Sequence, residues 1–307
     1  MKLINPNVEL WKQGDELSEI WNHIARCMRV CYQSEKKKMD ESEEDFVKRI
    51  ALKGHTYKEI AKDRKLQEQL HLSVLEHGTI YLKTSKNYPN FEFLINKYIH
   101  NKYSEVIFEY KSAYITTNMR VLVENDWTDD LKYICKPTDF HEKRYTFCLY
   151  TNIGGIRDTN RHRVQSISEE STRYCAYSKD KFDNQLQIAK LPYISDEEYK
   201  KAEFHQEDLF INNIIHGHDT SNWNAVDWYM WYIQMGQYVY NNLSRLGWSA
   251  EKCSNVLTFS TKTQSVHTAF KSNWGHYCDL RSNQVSGKVR PEVKLIADKI
   301  KDILDNE

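Results

Sequence analysis

Apolar residues recur at spacings of three and four through Leu17, Ile20, Trp21, Ile24, Met28 and Cys31, which predicts a helix over 16–32. A charged run from Ser34 to Glu44 reads as a solvated loop. Two shorter helices follow over 44–53 and 57–71, parted at Gly54, and the second runs on into His71 to His77. After Gly78 the period drops toward two in Thr79-Ile80-Tyr81-Leu82, a β-type run. Residues 90–124 carry three apolar runs, 91–95, 106–110 and 119–123, for which strand and helix both stay open. Lys143 to Tyr150 alternates as a strand does, and Gly154-Gly155 reads as a break behind it. The strongest helix spans Thr220 or Ser221 to Leu246, with a hydroxyl N-cap and Gly247 as its stop. Its Trp and Tyr residues cover more than one face, which fits a core or oligomer-interface helix. Pro291 opens a last amphipathic helix with Val293, Ile296, Ala297, Ile300 and Leu304 on one side.

Of the 307 residues 40% are hydrophobic, enough for a substantial core. Lys+Arg and Asp+Glu both number 43, so no bulk charge favours DNA, RNA or a membrane surface, and any anion site must be local. No apolar run approaches the roughly 20 residues of a membrane helix, and the start lacks a signal-length apolar stretch, so a cytoplasmic protein is expected. The seven cysteines are scattered and read as reduced thiols. Cys27 and Cys31 stand four apart rather than in a C-x-x-C pair, and His71 and His77 stand six apart, so no metal is expected. Neither a G-x-G-x-x-G fingerprint nor a P-loop occurs.

The chemistry concentrates in Arg161-His162-Arg163-Val164-Gln165-Ser166-Ile167-Ser168-Glu169-Glu170-Ser171-Thr172-Arg173-Tyr174. Ser166-x-x-Glu169 fits a helix capping box, with the arginines as ordinary surface residues. Guanidinium groups beside hydroxyls also suit a phosphorylated small molecule, because a planar fork grips phosphate oxygens in pairs. Both readings stay open on residue chemistry alone.

Arg161-His162-Arg163 followed by seven residues and Ser171, then Arg173-Tyr174, resembles the signature of the flavin-dependent thymidylate synthases. Four further segments are similar to the family and fall in its order: Ile24-Ala25-Arg26 through Val30-Cys31-Tyr32, His71-x-Ser73-x-x-Glu76-His77, Gly247 through Val256-Leu257, and Trp274-x-His276 with Leu280-Arg281. The resemblance implies a single α+β domain over 1–307, thymidylate synthase-complementing-protein-like, with a sheet flanked by helices and assembly as a homotetramer sharing its active sites. It implies FAD as cofactor, dUMP as acceptor, methylenetetrahydrofolate as carbon donor and NADPH as reductant, in dTMP biosynthesis. Ordinary thymidylate synthases use a cysteine that usually follows proline, and none of the cysteines here does.

Carried over by position, Arg161, His162, Arg163, Ser73, Glu169 and His276 resemble the flavin contacts, and His71 matches a histidine near the flavin. Arg161, Glu169, Glu170, Ser171, Thr172, Arg173 and Arg281 are similar to the nucleotide-holding set. Ser171 has no flanking base and is expected to bind rather than attack. Arg281, with His71 the expected catalytic pair, would stabilise negative charge as the pyrimidine gives up its N3 proton.

Several positions depart from the family. Asp158 stands where Gln is usual, Ser254 where a nucleotide-contacting Arg is common, Phe270 and Ser272 where Asn and Arg are usual, and Ser168 where Asn is. These leave room for another pyrimidine acceptor such as dCMP, or for a catalytically silent homologue that keeps the flavin and nucleotide site. His77 and Arg161 also stand much farther apart than in the family, as though its strand were split between Thr79 to Leu82 and Tyr145 to Tyr150 by an insertion of about 83–143.

Overall fold

The computed structural model describes residues 1–34, 41–179, 182–204, 220–285 and 287–307; residues 35–40 of the charged run lie outside the described residues. A four-stranded antiparallel sheet carries the site-forming part of the chain, in the order β2 (Asn7–Leu10), β6 (Arg144–Asn152), β9 (Lys262–Phe270), β7 (Ser166–Glu169). Alternation divides it into two faces. Phe147, Leu149 and Ala269 meet Trp274, Tyr277, Ile296 and Ile300 of the helices Lys271–Arg281 and Pro291–Leu304. On the other face Cys148 and Val266 meet Cys27 and Val30 of the helix Leu17–Val30. That helix follows the predicted stripe, and a reciprocal Glu16–Glu19 capping box fixes its start.

The ambiguous stretch 90–124 resolves into four elements, two helices and two strands. Phe91–Ile99 is a helix, β4 (Glu105–Glu109) and β5 (Ser112–Asn118) are strands, and Met119–Glu124 is a helix capped by the Asn118 side chain. These strands complete a second sheet, β3 (Thr79–Ser85), β5, β4. The two segments on either side of 83–143 lie in different sheets: β3 pairs along its whole length with β5, while β6 pairs with β2 and β9. The second sheet shares one core with the helix Leu17–Val30, in which Ile20, Ile24, Leu75, Ile80, Leu82, Ile115 and Leu122 are buried together.

Between Leu17–Val30 and β3 the chain is more broken than its pattern suggests. Glu43–Val47 widens into a π-helical turn over Lys48–Leu52, and two short helices, Tyr57–Lys62 and Arg64–Gln69, part at Asp63, whose carboxylate caps the second. Leu72–His77 is a separate 3-10 helical turn. Gly154-Gly155 does not break the chain as expected but opens the helix Ile153–Thr159, because the Asn152 side chain accepts from the Gly155 amide at 2.6 Å as β6 ends.

The aromatic-rich helix runs Ala225–Arg245, starting later than expected because Asn224, rather than Thr220 or Ser221, forms the cap with Asp227. Gly247 lies beyond its end at φ +91, the left-handed stop that glycine allows. Its inner face packs on Cys175, Tyr177, Phe182 and Ile188, beside the parallel pair β1 (Lys2–Ile4) and β8 (Gln187–Ala189).

Candidate active site

The helix-cap reading of Ser166 and Glu169 fails, because both lie in β7, at the edge of the sheet, opposite Thr268 and Ser265. Arg161 to Gln165 form the turn between the helix Ile153–Thr159 and that strand. Arg161 and Arg163 are exposed, whereas His162 is tucked against the helix Lys271–Arg281. Its ring stands edge-on to Tyr277 at 4.8 Å between centroids, with His276 6.3 Å away, and Arg281 Nε donates to His162 Nε2 at 3.3 Å. Burial first, then Arg281, His276 and Arg161, push the imidazole pKa down to about 4. A guanidinium only donates, so Nε2 is the acceptor and the ring proton sits on Nδ1.

A second imidazole pins the same turn from below. His267 Nδ1 meets Gln165 Oε1 and its Nε2 meets Ser265 Oγ, both at 2.8 Å. His267 is fully buried, and burial pushes its pKa down to about 3, so it works as a neutral donor–acceptor link. Gln165 Nε2 and Asn160 Oδ1, which flank the Arg-His-Arg turn, are buried polar atoms without a partner.

Glu169 accepts from Asn160 Nδ2 at 3.0 Å and Thr263 Oγ1 at 3.2 Å, and burial pushes its carboxyl up. Glu170 turns the other way. Its side chain is wholly buried, and Lys262 Nζ at 2.7 Å, Tyr177 OH at 3.1 Å and the Gln264 amide at 3.2 Å donate to it. The carboxylate of Glu170 therefore faces the protein interior, held by groups of the chain itself. Ser171 donates its amide to the Cys31 carbonyl at 3.0 Å, and Tyr174 lies 5.2 Å from the Tyr32 ring. The Ser171–Thr172–Arg173 corner thus rests on the end of the helix Leu17–Val30. Arg173 pairs with Glu251 at 3.1 Å, both well exposed.

His71 and Ser73 are exposed on the turn Leu72–His77, which packs on β7 through His77. That buried ring bridges Thr268 Oγ1 at 2.8 Å and Ser168 Oγ at 2.9 Å, and Thr268 continues through Thr146 to His23. A cavity of about 240 Å³ lies elsewhere, among Trp11, Gln13, Thr79, Tyr81, Arg144 and Tyr145. It contains none of the expected site residues, so the convergent polar groups along β7 define the candidate site.

The family model described as thymidylate synthase complementing protein matches residues 99–307. The chain belongs to this family. Two solved structures are similar to it: the UMP/dUMP methylase PolB from Streptomyces cacaoi bound with 5-Br dUMP, and the same protein bound with 5-Br UMP. Each is 14% identical with a TM-score of 0.42; they cover 100% of this chain, and 93% and 92% of their own. No curated protein sequence matches.

Among the features of this family member that sequence reasoning missed are Asn160, Gln165, Lys262, His267 and Tyr277. All but Asn160, whose partner Glu169 is nine residues away, act through partners distant in sequence, and no spacing rule signals them. The residues beside the Arg-His-Arg turn fit a flavin dinucleotide. Arg161 and Arg163 are exposed cations that would suit its phosphates, and the unpartnered Gln165 Nε2 and Asn160 Oδ1 would offer a donor and an acceptor beside them. Among the described residues no group of three or more His, Cys, Asp or Glu could hold a metal ion, and no helix is long and apolar enough to cross a membrane.

Proposed function

We propose that this protein carries out the FAD-dependent reductive methylation of dUMP to dTMP, with methylenetetrahydrofolate as carbon donor and NADPH as reductant. The observation that carries this reading is the Arg281–His162 contact, which ties the flavin-side turn to the arginine expected beside the pyrimidine. When bound, reduced flavin supplies the hydride that converts the transferred methylene to a methyl. The chain's own residues bind and orient. Arg161 and Arg163 neutralise flavin phosphates, with His162, Ser73, Glu169, His71 and His276 around the ring system. Arg161 also serves the nucleotide with Glu169, Ser171, Thr172 and Arg173. Arg281 holds negative charge on the pyrimidine as N3 loses its proton, which makes C5 a better nucleophile.

The active unit in this reading is a cytoplasmic homotetramer. Trp228, Tyr232 and Tyr238 stay exposed at 47%, 57% and 51% on the helix Ala225–Arg245, apolar surface that assembly would cover. Residues 83–143 remain a proposed insertion within one domain, although the family match begins inside them.

Purified protein should be yellow and should form dTMP from dUMP, NADPH and methylenetetrahydrofolate; a folded protein that does neither removes this reading. A second reading keeps the chemistry and changes the acceptor to another pyrimidine nucleotide such as dCMP. It is favoured by Asp158 and by Arg173, whose charge is already shared with Glu251. Tritium release from C5-labelled dUMP and dCMP separates the two, because the true acceptor must lose its C5 hydrogen. Flavin reduction with no nucleotide turnover would indicate a silent homologue.

A further inference from the structure

We infer that Arg120, supplied by the segment 83–143, is a positioning residue for the ligand-facing turn Leu72–His77. The segment thereby helps build the site. The inference takes its ligand, but not its geometry, from the flavin reading above.

The turn is held from several directions. Leu72, Val74 and Leu75 are buried in the core, and the His71 amide donates to the Ala51 carbonyl at 3.1 Å. Gly78, which ends the turn, lies so close to the helix Leu17–Val30 that an added Cβ would stand 2.5 Å from Ile24 Cδ1. His77 is fixed on β7 and β9 through Ser168 and Thr268, and Arg144 Nη1 donates to the Glu76 carbonyl at 3.1 Å. His71 and Ser73 stay exposed, and the Glu76 carboxylate of the same turn is taken by Arg120 Nη1.

Two further contacts make Arg120 a built clamp. Its Nε donates to Glu124 at 2.7 Å, so a carboxylate on its own helix fixes the guanidinium orientation. The Met119 amide donates to the Gly78 carbonyl at 2.8 Å, which docks the start of that helix on the end of the turn. Arg120 also offsets the one acidic charge on a turn expected to face an anionic dinucleotide, where a free carboxylate would repel phosphate.

The test uses the full chain with Arg120→Ala, Arg120→Lys and Glu124→Gln. Hydrogen exchange is measured on amides 71–78 and on β9, and dissociation constants are measured for FAD and dUMP. Arg120→Ala should speed exchange in 71–78 but not in β9, and should weaken FAD about fivefold, the scale of one half-exposed ion pair, with dUMP changed by less than about twofold. Arg120→Lys should recover most of the loss, and Glu124→Gln, which keeps an acceptor but loses the ion pair that orients Arg120, should shift exchange in 71–78 and FAD affinity in the same direction by less. Unchanged exchange in 71–78 overturns the inference. So does an equal fall in FAD and dUMP affinity accompanied by faster exchange in β9, which marks a merely structural role. If the parent chain binds no FAD the flavin reading fails instead, and exchange in 71–78 alone decides the role of Arg120.

Discussion

At His162 a single hydrogen bond sets a proton's place, because Arg281 Nε can only donate and the imidazole must answer with a lone pair. Arg281→Lys keeps the charge but loses the planar fork that touches the His162 ring and that, in the proposed function, would also hold the pyrimidine. It should lower kcat/KM for the nucleotide by about a hundredfold, the loss typical of removing one oriented donor, with little change in Tm. Steady-state kinetics beside a thermal melt checks this, and unchanged turnover would remove Arg281 from the site. Glu170 and Lys262 behave in the opposite sense, since they are a buried pair with side chains 0% and 8% exposed. Lys262→Met leaves that carboxylate uncompensated and should cost about 3–5 kcal/mol in denaturant unfolding. Lys262→Met combined with Glu170→Gln should recover part of the loss, because the stranded charge is gone; an additive double variant would show that the two residues are uncoupled.

Among elements, what was legible in the sequence follows from periodicity. The helix Leu17–Val30 and the helix from Pro291 carry one unbroken apolar stripe each, and both stand where the spacing puts them. Phe91–Ile99 and β4 could not be told apart by spacing, because short apolar runs satisfy both periods and pairing with β5 decides. The Arg161–Tyr174 stretch announced its chemistry, but not its strand. Whether Ser166 and Glu169 cap a helix or line an edge is settled by β9, about a hundred residues away. The polar links Gln165–His267 and Glu170–Lys262 span 102 and 92 positions, so no local pattern could carry them. Three buried imidazoles, His23, His77 and His267, tie β6, β7 and β9 to their neighbours. Burial lowers all three, to about 4 for His23, well below 6.5 for His77 and to about 3 for His267. Because the folded values lie below the unfolded value near 6.5, the unfolded chain binds more protons as pH falls. Stability should be complete above about pH 6.5 and decline below it, with a limiting slope of up to about 4 kcal/mol per pH unit for three protons. Thermal melts from pH 7.5 to pH 4.5 test this, and a flat profile would mean that the rings are not held neutral.

For the whole molecule, the question is whether residues 83–143 are an appendage or part of the foundation. An appended module would have its own core and leave the rest intact when removed. Here Ile115 and Leu122, from within the segment, are buried in one cluster with Ile20, Ile24 and Leu75 from outside it, and β3 pairs along its length with β5. Excision would leave Ile80 and Leu82 without their neighbours and strip the cover from one side of the helix Leu17–Val30. Each large apolar side chain so exposed loses roughly 1.5–3 kcal/mol of burial, and a handful exceeds the 5–15 kcal/mol by which domains are stable. A chain with 83–143 replaced by a short Gly-Ser linker should therefore lose its cooperative melt. The same excision removes Arg120 and with it the support of the turn bearing His71 and Ser73. Circular dichroism during heating checks the outcome. A cooperative transition near that of the parent would show that the second sheet is dispensable to the fold and leave Arg120 as the segment's one contribution to the site.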